Sequence, residues 1–119
     1  MRKVDVNVLS DVDTSTVTGG AIDSNQLISA SFQAVFADTA AIGVVKIQAS
    51  NDIYGDQYQP ANFTPTNWSD IPNATSAITA GVGPIILIPV MSFRWVRVIY
   101  TRTSGGSTTV NVNMFAMGV

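Results

Sequence analysis

The chain has 119 residues, no His and no Cys, and its eight acidic side chains are all Asp. That length suits one domain with one core. The missing residue types exclude zinc fingers, disulfide scaffolds, thiol nucleophiles and histidine acid–base catalysis, while a net charge of -2 and a pI of about 4.6 argue against nonspecific nucleic-acid binding.

The opening Met1-Arg2-Lys3 is basic, but the residues after it alternate polar and apolar, unlike a signal-peptide core, so no export signal is expected. Val4, Val6 and Val8 share one face of a first predicted strand, with Asp5 and Asn7 opposite. Residues 10–25 (SDVDTSTVTGGAIDSN) are small, polar and rich in turn formers. They read either as a linker that lets strand 3–9 pair elsewhere, a neighbouring subunit included, or as an ordinary surface loop. A division follows into an N-terminal strand and arm, 1–25, and a sandwich region, 26–119. In the latter, Ile28, Ala30, Phe32, Ala34 and Phe36 alternate with Ser29, Ser31, Gln33 and Val35, and Val45, Ile47 and Ala49 alternate with Lys46 and Gln48. Residues Asn51 to Asn67 (NDIYGDQYQPANFTPTN) form a long loop, a length that in small domains often accompanies function.

Trp68-Ser69-Asp70-Ile71-Pro72 opens a further strand, and Pro72-Asn73 is a turn signal. The run Pro84-Ile85-Ile86-Leu87-Ile88-Pro89-Val90 lacks alternation, which predicts burial on both faces or cover at an interface. Left exposed, it is an aggregation hazard, and it is too short to span a bilayer. Val96, Val98 and Tyr100 alternate with Arg97 and Ile99, and Val110, Val112, Met114 and Ala116 alternate with Thr109, Asn111 and Asn113. Turn formers also fall at Gly19-Gly20, Ala37-Asp38-Thr39, Gly81 to Pro84 and Ser104-Gly105-Gly106. No window carries a sustained 3.6-residue apolar stripe. The predicted fold is all-β, a two-sheet antiparallel β-sandwich, with jelly-roll connections as one way to join the strands.

Charge density adds a second constraint. Six basic and eight acidic side chains make fourteen charges, or one per roughly 440 Å² of the roughly 6,200 Å² that a monomer of this mass exposes. Ordinary domains carry about twice that density. The reading preferred here is that neighbouring copies or a partner cover much of the surface; the alternative is a neutral surface rich in Ser, Thr and Asn.

Candidate chemistry is sparse. A nucleophile needs a base, and only Asp, Lys or water is present to serve, so the chain reads as a non-enzyme with no catalytic residues and no cofactor. Asp11 with Asp13, and Asn51 with Asp52 and Asp56, are oxygen-rich enough for calcium, but Asx turns account for them more simply, and no metal site is assigned. Tyr54, Tyr58, Phe63 and Trp68, with Asn51, Gln57 and Gln59, offer rings and amides to a glycan. Against that, Trp68 opens a strand and is expected to pack back on the sandwich. Arg97 is expected to pair with an Asp of a neighbouring strand or subunit.

Several stretches together resemble small β-sandwich proteins of tailed-phage virions. They are Ser31-Phe32-Gln33-Ala34-Val35-Phe36, the segment Val44 to Asp52, Trp68-Ser69-Asp70-Ile71-Pro72 and the segment Arg94 to Gly105, followed by the terminal Phe115-Ala116-Met117-Gly118-Val119. The resemblance spans roughly residues 26–119 and departs from the group's pattern in the insertion Tyr54–Asn67. It implies a non-enzymatic virion structural protein, in the first instance a capsid decoration (cement) protein, assembled in the host cytoplasm and bound as a homo-oligomer to the major capsid protein or another virion protein. The acidic balance and the lack of a long apolar span, rather than the resemblance, argue against a nucleic-acid or membrane partner. The alternatives are a carbohydrate-recognition or receptor-binding module on the virion, contacting glycan through Tyr54, Tyr58 and Trp68, and a tail or neck component of the same fold. The candidate assembly contacts are Val4, Val6 and Val8 on the first strand and Ile85, Ile86, Leu87 and Ile88 in the apolar run.

Overall fold

The computed structural model describes residues 3–12, 16–36, 42–53, 63–78, 83–104 and 109–118. Every regular element among them is a strand: β1 (Lys3–Val12), β2 (Thr16–Thr18), β3 (Ile22–Asp23), β4 (Leu27–Phe36), β5 (Ile42–Ser50), β6 (Ser69–Ile78), β7 (Ile86–Ile88), β8 (Trp95–Ser104) and β9 (Thr109–Gly118). One sheet has the order β1-β9-β4-β7, the other β2-β8-β5-β6, with β3 also on β8. All pairings are antiparallel.

β2 and β3 are two pieces of one strand along β8. Between them, the Gly19 N–H donates to the Val98 carbonyl at 2.8 Å. Counted so, the pairings nest: first strand with last, second with next to last, β4 with β7, and β5 with β6. That is one long antiparallel hairpin folded over on itself, a jelly roll. The expected sandwich is therefore present, with its jelly-roll connections.

The core forms where the inward rows of the two sheets meet. Ala30, Phe32, Ala34, Val110, Val112, Met114 and Ala116 come from one sheet, and Val45, Ile47, Val96, Val98 and Tyr100 from the other. These are the residues whose period-two spacing marks them in the sequence, because successive side chains on a strand leave by opposite faces. Phe36 belongs to the same predicted row, but its side chain lies outside the described residues.

Three local readings change. Ile28 was expected beside Ala30 on the inner face; instead the register of β4 on β9 shifts between Leu27 and Ser29, turning Leu27 inward and leaving Ile28 exposed. Pro72-Asn73 is not a turn between strands but a bulge inside β6. From Asp70 to Thr75 β6 advances five positions while β5 advances only two, from Gln48 to Lys46. Asn73 takes φ 63° there, a conformation Asn tolerates better than most side chains. Ile71 and Ala74, three apart, are both buried, so no alternation marks this strand in the sequence. Lastly, residues 10–25 hold the end of β1, all of β2 and β3, and β1 pairs with β9 of its own chain.

Gly43 on β5 is buried, and atoms of the wholly buried Tyr100 ring fill the space that a Cβ would need. Gly43→Ala is expected to destabilise the fold by about 1–3 kcal/mol through overpacking, measured by urea unfolding. Combining it with Tyr100→Leu should cost less than the two single changes summed.

Candidate functional site

Two regions collect the residues singled out above. The first is the end of the sandwich where β5 runs out. Asp52, just past β5, accepts from the backbone N–H of Thr66 at 2.7 Å and of Asn67 at 2.8 Å, and from Asn67 Nδ2 at 2.9 Å. Its own N–H donates to Ser50 Oγ, and Asn51 Oδ1 accepts from the Arg94 N–H. One carboxylate thus ties together the two described ends of the long loop. These donors, the Asn67 backbone N–H foremost, hold its pKa below the ordinary 3.8.

Trp68 sits where the loop re-enters β6. Its indole Nε1 donates to the Pro65 carbonyl at 3.2 Å, and the Arg97 guanidinium carbon lies 4.3 Å from its ring centroid, a cation–π contact. One ring face is therefore occupied from within the chain. Arg97 Nε donates to Gln48 Oε1, Gln48 Nε2 donates to Asp70 Oδ1, and Asp70 pairs with Lys46 at 3.3 Å. The result is a polar chain across the outer face of β8, β5 and β6. Arg97 thus pairs with a neighbouring strand, through Gln48 rather than an Asp. Next to it, Phe63 and Trp95 make a tilted ring pair at 6.1 Å. A depression of about 440 Å³ opens here, lined by Asn51, Asp52, Asn67, Asp70 and Phe93 among others. Tyr54 and Tyr58, Gln57 and Gln59, and Asp13 and Asp56 lie outside the described residues, as does the side chain of Asp11.

The second region is the outer face of the β1-β9-β4-β7 sheet. No charged residue occurs in β4, β7 or β9. The described charged side chains Asp23, Lys46, Asp52, Asp70, Arg94, Arg97 and Arg102 stand on the strands of the other sheet or beside them, while β1, at the margin of this sheet, carries Lys3, Asp5 and Asp11. Leu87 pairs with Ser31 and Ser31 with Phe115, so these three form one outward row across β7, β4 and β9. Ser29 with Met117, Gln33 with Asn113 and Val35 with Asn111 form parallel rows. Large apolar side chains on these rows are exposed: Leu87 62 %, Met117 42 %, Phe115 41 % and Val35 36 %. Ile85 at 57 % and Val90 at 66 % flank β7.

The apolar run is clamped to β4 at both ends. The Gly83 N–H donates to the Ala34 carbonyl at 3.0 Å, and the Met91 N–H donates to the Ile28 carbonyl at 2.7 Å. The expectation of burial on both faces is corrected here. Ile86 and Ile88 face inward and are buried, while Leu87, between them, faces outward. Of the proposed contacts, Ile86 and Ile88 are therefore core residues, and Ile85 and Leu87 are on the surface. Val4 pairs with Ala116 and Val6 with Met114, and Val8 falls within the register shift between Asn7 and Leu9; the side chains of all three lie outside the described residues. Sequence reasoning missed Phe115, Met117 and Val35. The signal was available: along β9 the outward series Asn111, Asn113 turns apolar at Phe115 and Met117.

Comparison of the chain with family models and with curated proteins finds no match.

Asp70, like Asp52, has a lowered pKa, owed first to the Gln48 amide and then to Lys46. A carboxylate depressed in the folded state contributes stability that is complete above its unfolded value and lost as pH falls through its folded value. Thermal stability should therefore fall as pH is lowered below about 4. In Asp52→Asn the acid-side loss should be shallower, as read from melting temperatures across an acid titration.

Proposed function

We propose that the chain is a non-enzymatic structural protein of a tailed-phage virion, a capsid decoration (cement) protein. The observation that carries this reading is the outer face formed by β9, β4 and β7, three strands without a charged residue, with Leu87, Phe115, Met117 and Val35 exposed on it. Soluble domains rarely leave such a surface uncovered, and a chain with few titratable side chains has little other than area with which to act. Contacts that hide on the order of 1,600 Å² in total hold proteins together without any chemistry. Clamping neighbouring shell subunits is work of that kind. The resemblance of residues 26–119 to virion β-sandwich proteins supports the same assignment.

The second reading is saccharide recognition. It rests on the depression beside Phe93, whose amide, carboxylate and aromatic lining is of the type that binds sugars.

The first reading is tested by mass spectrometry and image reconstruction of purified phage particles that carry its gene. Density for the chain at regular positions on the shell is expected; density at the neck or tail alone moves the assignment there. Absence of the chain from the particles, with glycan-array binding abolished by Phe93→Ala, would replace it with the saccharide reading.

A further inference from the structure

We infer that the outer face of the β1-β9-β4-β7 sheet closes on the same face of a second copy, forming a two-fold dimer. This rests on the reading of that face as an assembly contact, though not on the virion itself.

Size is the first argument. Three of the strands are ten residues long. With the 84–90 segment they give a flat area on the order of 600 Å², before the relief of the side chains is counted. A stable contact hides about 800 Å² per partner. The whole face is thus the size of one standard contact.

Charge selects the occupant. Each copy carries a net charge of -2, so most ways of joining two copies bring ionised groups together. Over β4, β7 and β9 there are none to oppose, and at the β1 margin the register sets Lys3 opposite Met117 and Asp5 opposite Phe115, one charge of each sign. A partner recognised by charge would need a counter-charge at the centre of the face, and β4, β7 and β9 supply none.

The polar groups point the same way. The face interleaves its apolar side chains with Ser29, Ser31, Gln33, Asn111 and Asn113. Hydroxyls and amides each donate and accept, so a surface of this make-up complements itself. Two-fold symmetry requires just that, because the same patch serves both subunits. Sheets stacked face to face interdigitate their side chains at about 10 Å, crossing near −30°. A hollow of about 160 Å³, bordered by Ser31, Gln33, Ile85, Asn113 and Phe115, gives an incoming side chain a place to enter.

Sedimentation of the full chain tests the inference. The wild type should sediment as a dimer. Leu87→Lys and Phe115→Asp should each weaken the dimer by on the order of a hundredfold, because each would bury an unpaired charge, the second opposite the like-charged Asp5 in the β1–β9 register. Thr101→Lys, at an exposed position on the other sheet, should leave it intact. Circular dichroism and melting temperature verify that the variants fold; Ser31→Lys, in the same outward row, replaces either if it does not. A wild-type chain that stays monomeric at high concentration, or one that associates equally well after these substitutions, overturns the dimer. A monomer found on phage shells would sink this inference and leave the virion reading standing. A face-dependent dimer absent from any particle would do the reverse.

Discussion

Each side chain on a strand has only two directions open to it, and a sandwich reserves one of them for the core. That constraint governs the molecule. The nested pairing of the long hairpin places the two inward rows against each other, and Phe32, Met114, Ile47, Val98 and Tyr100 meet there with almost no exposure. Whatever remains of each strand is then displayed outside, and the two sheets display opposite things. One shows a connected series of polar partners from Lys46 to Trp68. The other shows Leu87, Phe115 and Met117 among hydroxyls and amides.

The asymmetry extends to the loops. At the end of β5, a single carboxylate gathers two backbone N–H groups and an amide. It fixes the span where the long loop departs and returns. Trp68 and Arg97 then seal the return against the charged sheet. Ordered structure around the 440 Å³ depression is thus anchored by polar contacts, whereas the opposite sheet is held to its own β7 by backbone bonds at Gly83 and Met91. The two candidate regions therefore rest on different physics and fail under different perturbations, acid for the first and surface charge for the second.

Most of the fold was legible because alternation is a direct image of the pleat. The rows Ala30-Phe32-Ala34, Val96-Val98-Tyr100 and Val110-Val112-Met114-Ala116 reach the core as spaced. Legibility failed where the pleat itself is broken. Ile28 and Leu27 exchange faces at a register shift, and the surplus residues of β6 hide a strand behind a Pro-Asn pair. A one-dimensional pattern cannot register an insertion whose effect is to reset the count. The run from Ile85 to Ile88 failed differently: both of its faces are apolar, so sequence alone does not say which one the chain covers. Loop anchoring by Asp52 depends on partners fourteen and fifteen positions away, beyond the reach of any local motif.

The four open margins of the two sheets share a property. β1 loses register between Asn7 and Leu9, the β2–β3 margin is interrupted between Thr18 and Ile22, β6 bulges at Pro72-Asn73, and β7 is three residues long. None offers an uninterrupted ladder to a strand from outside. Interruptions of this kind disfavour sideways growth of the sheets into fibrils, and they leave the broad faces as the larger uninterrupted surfaces.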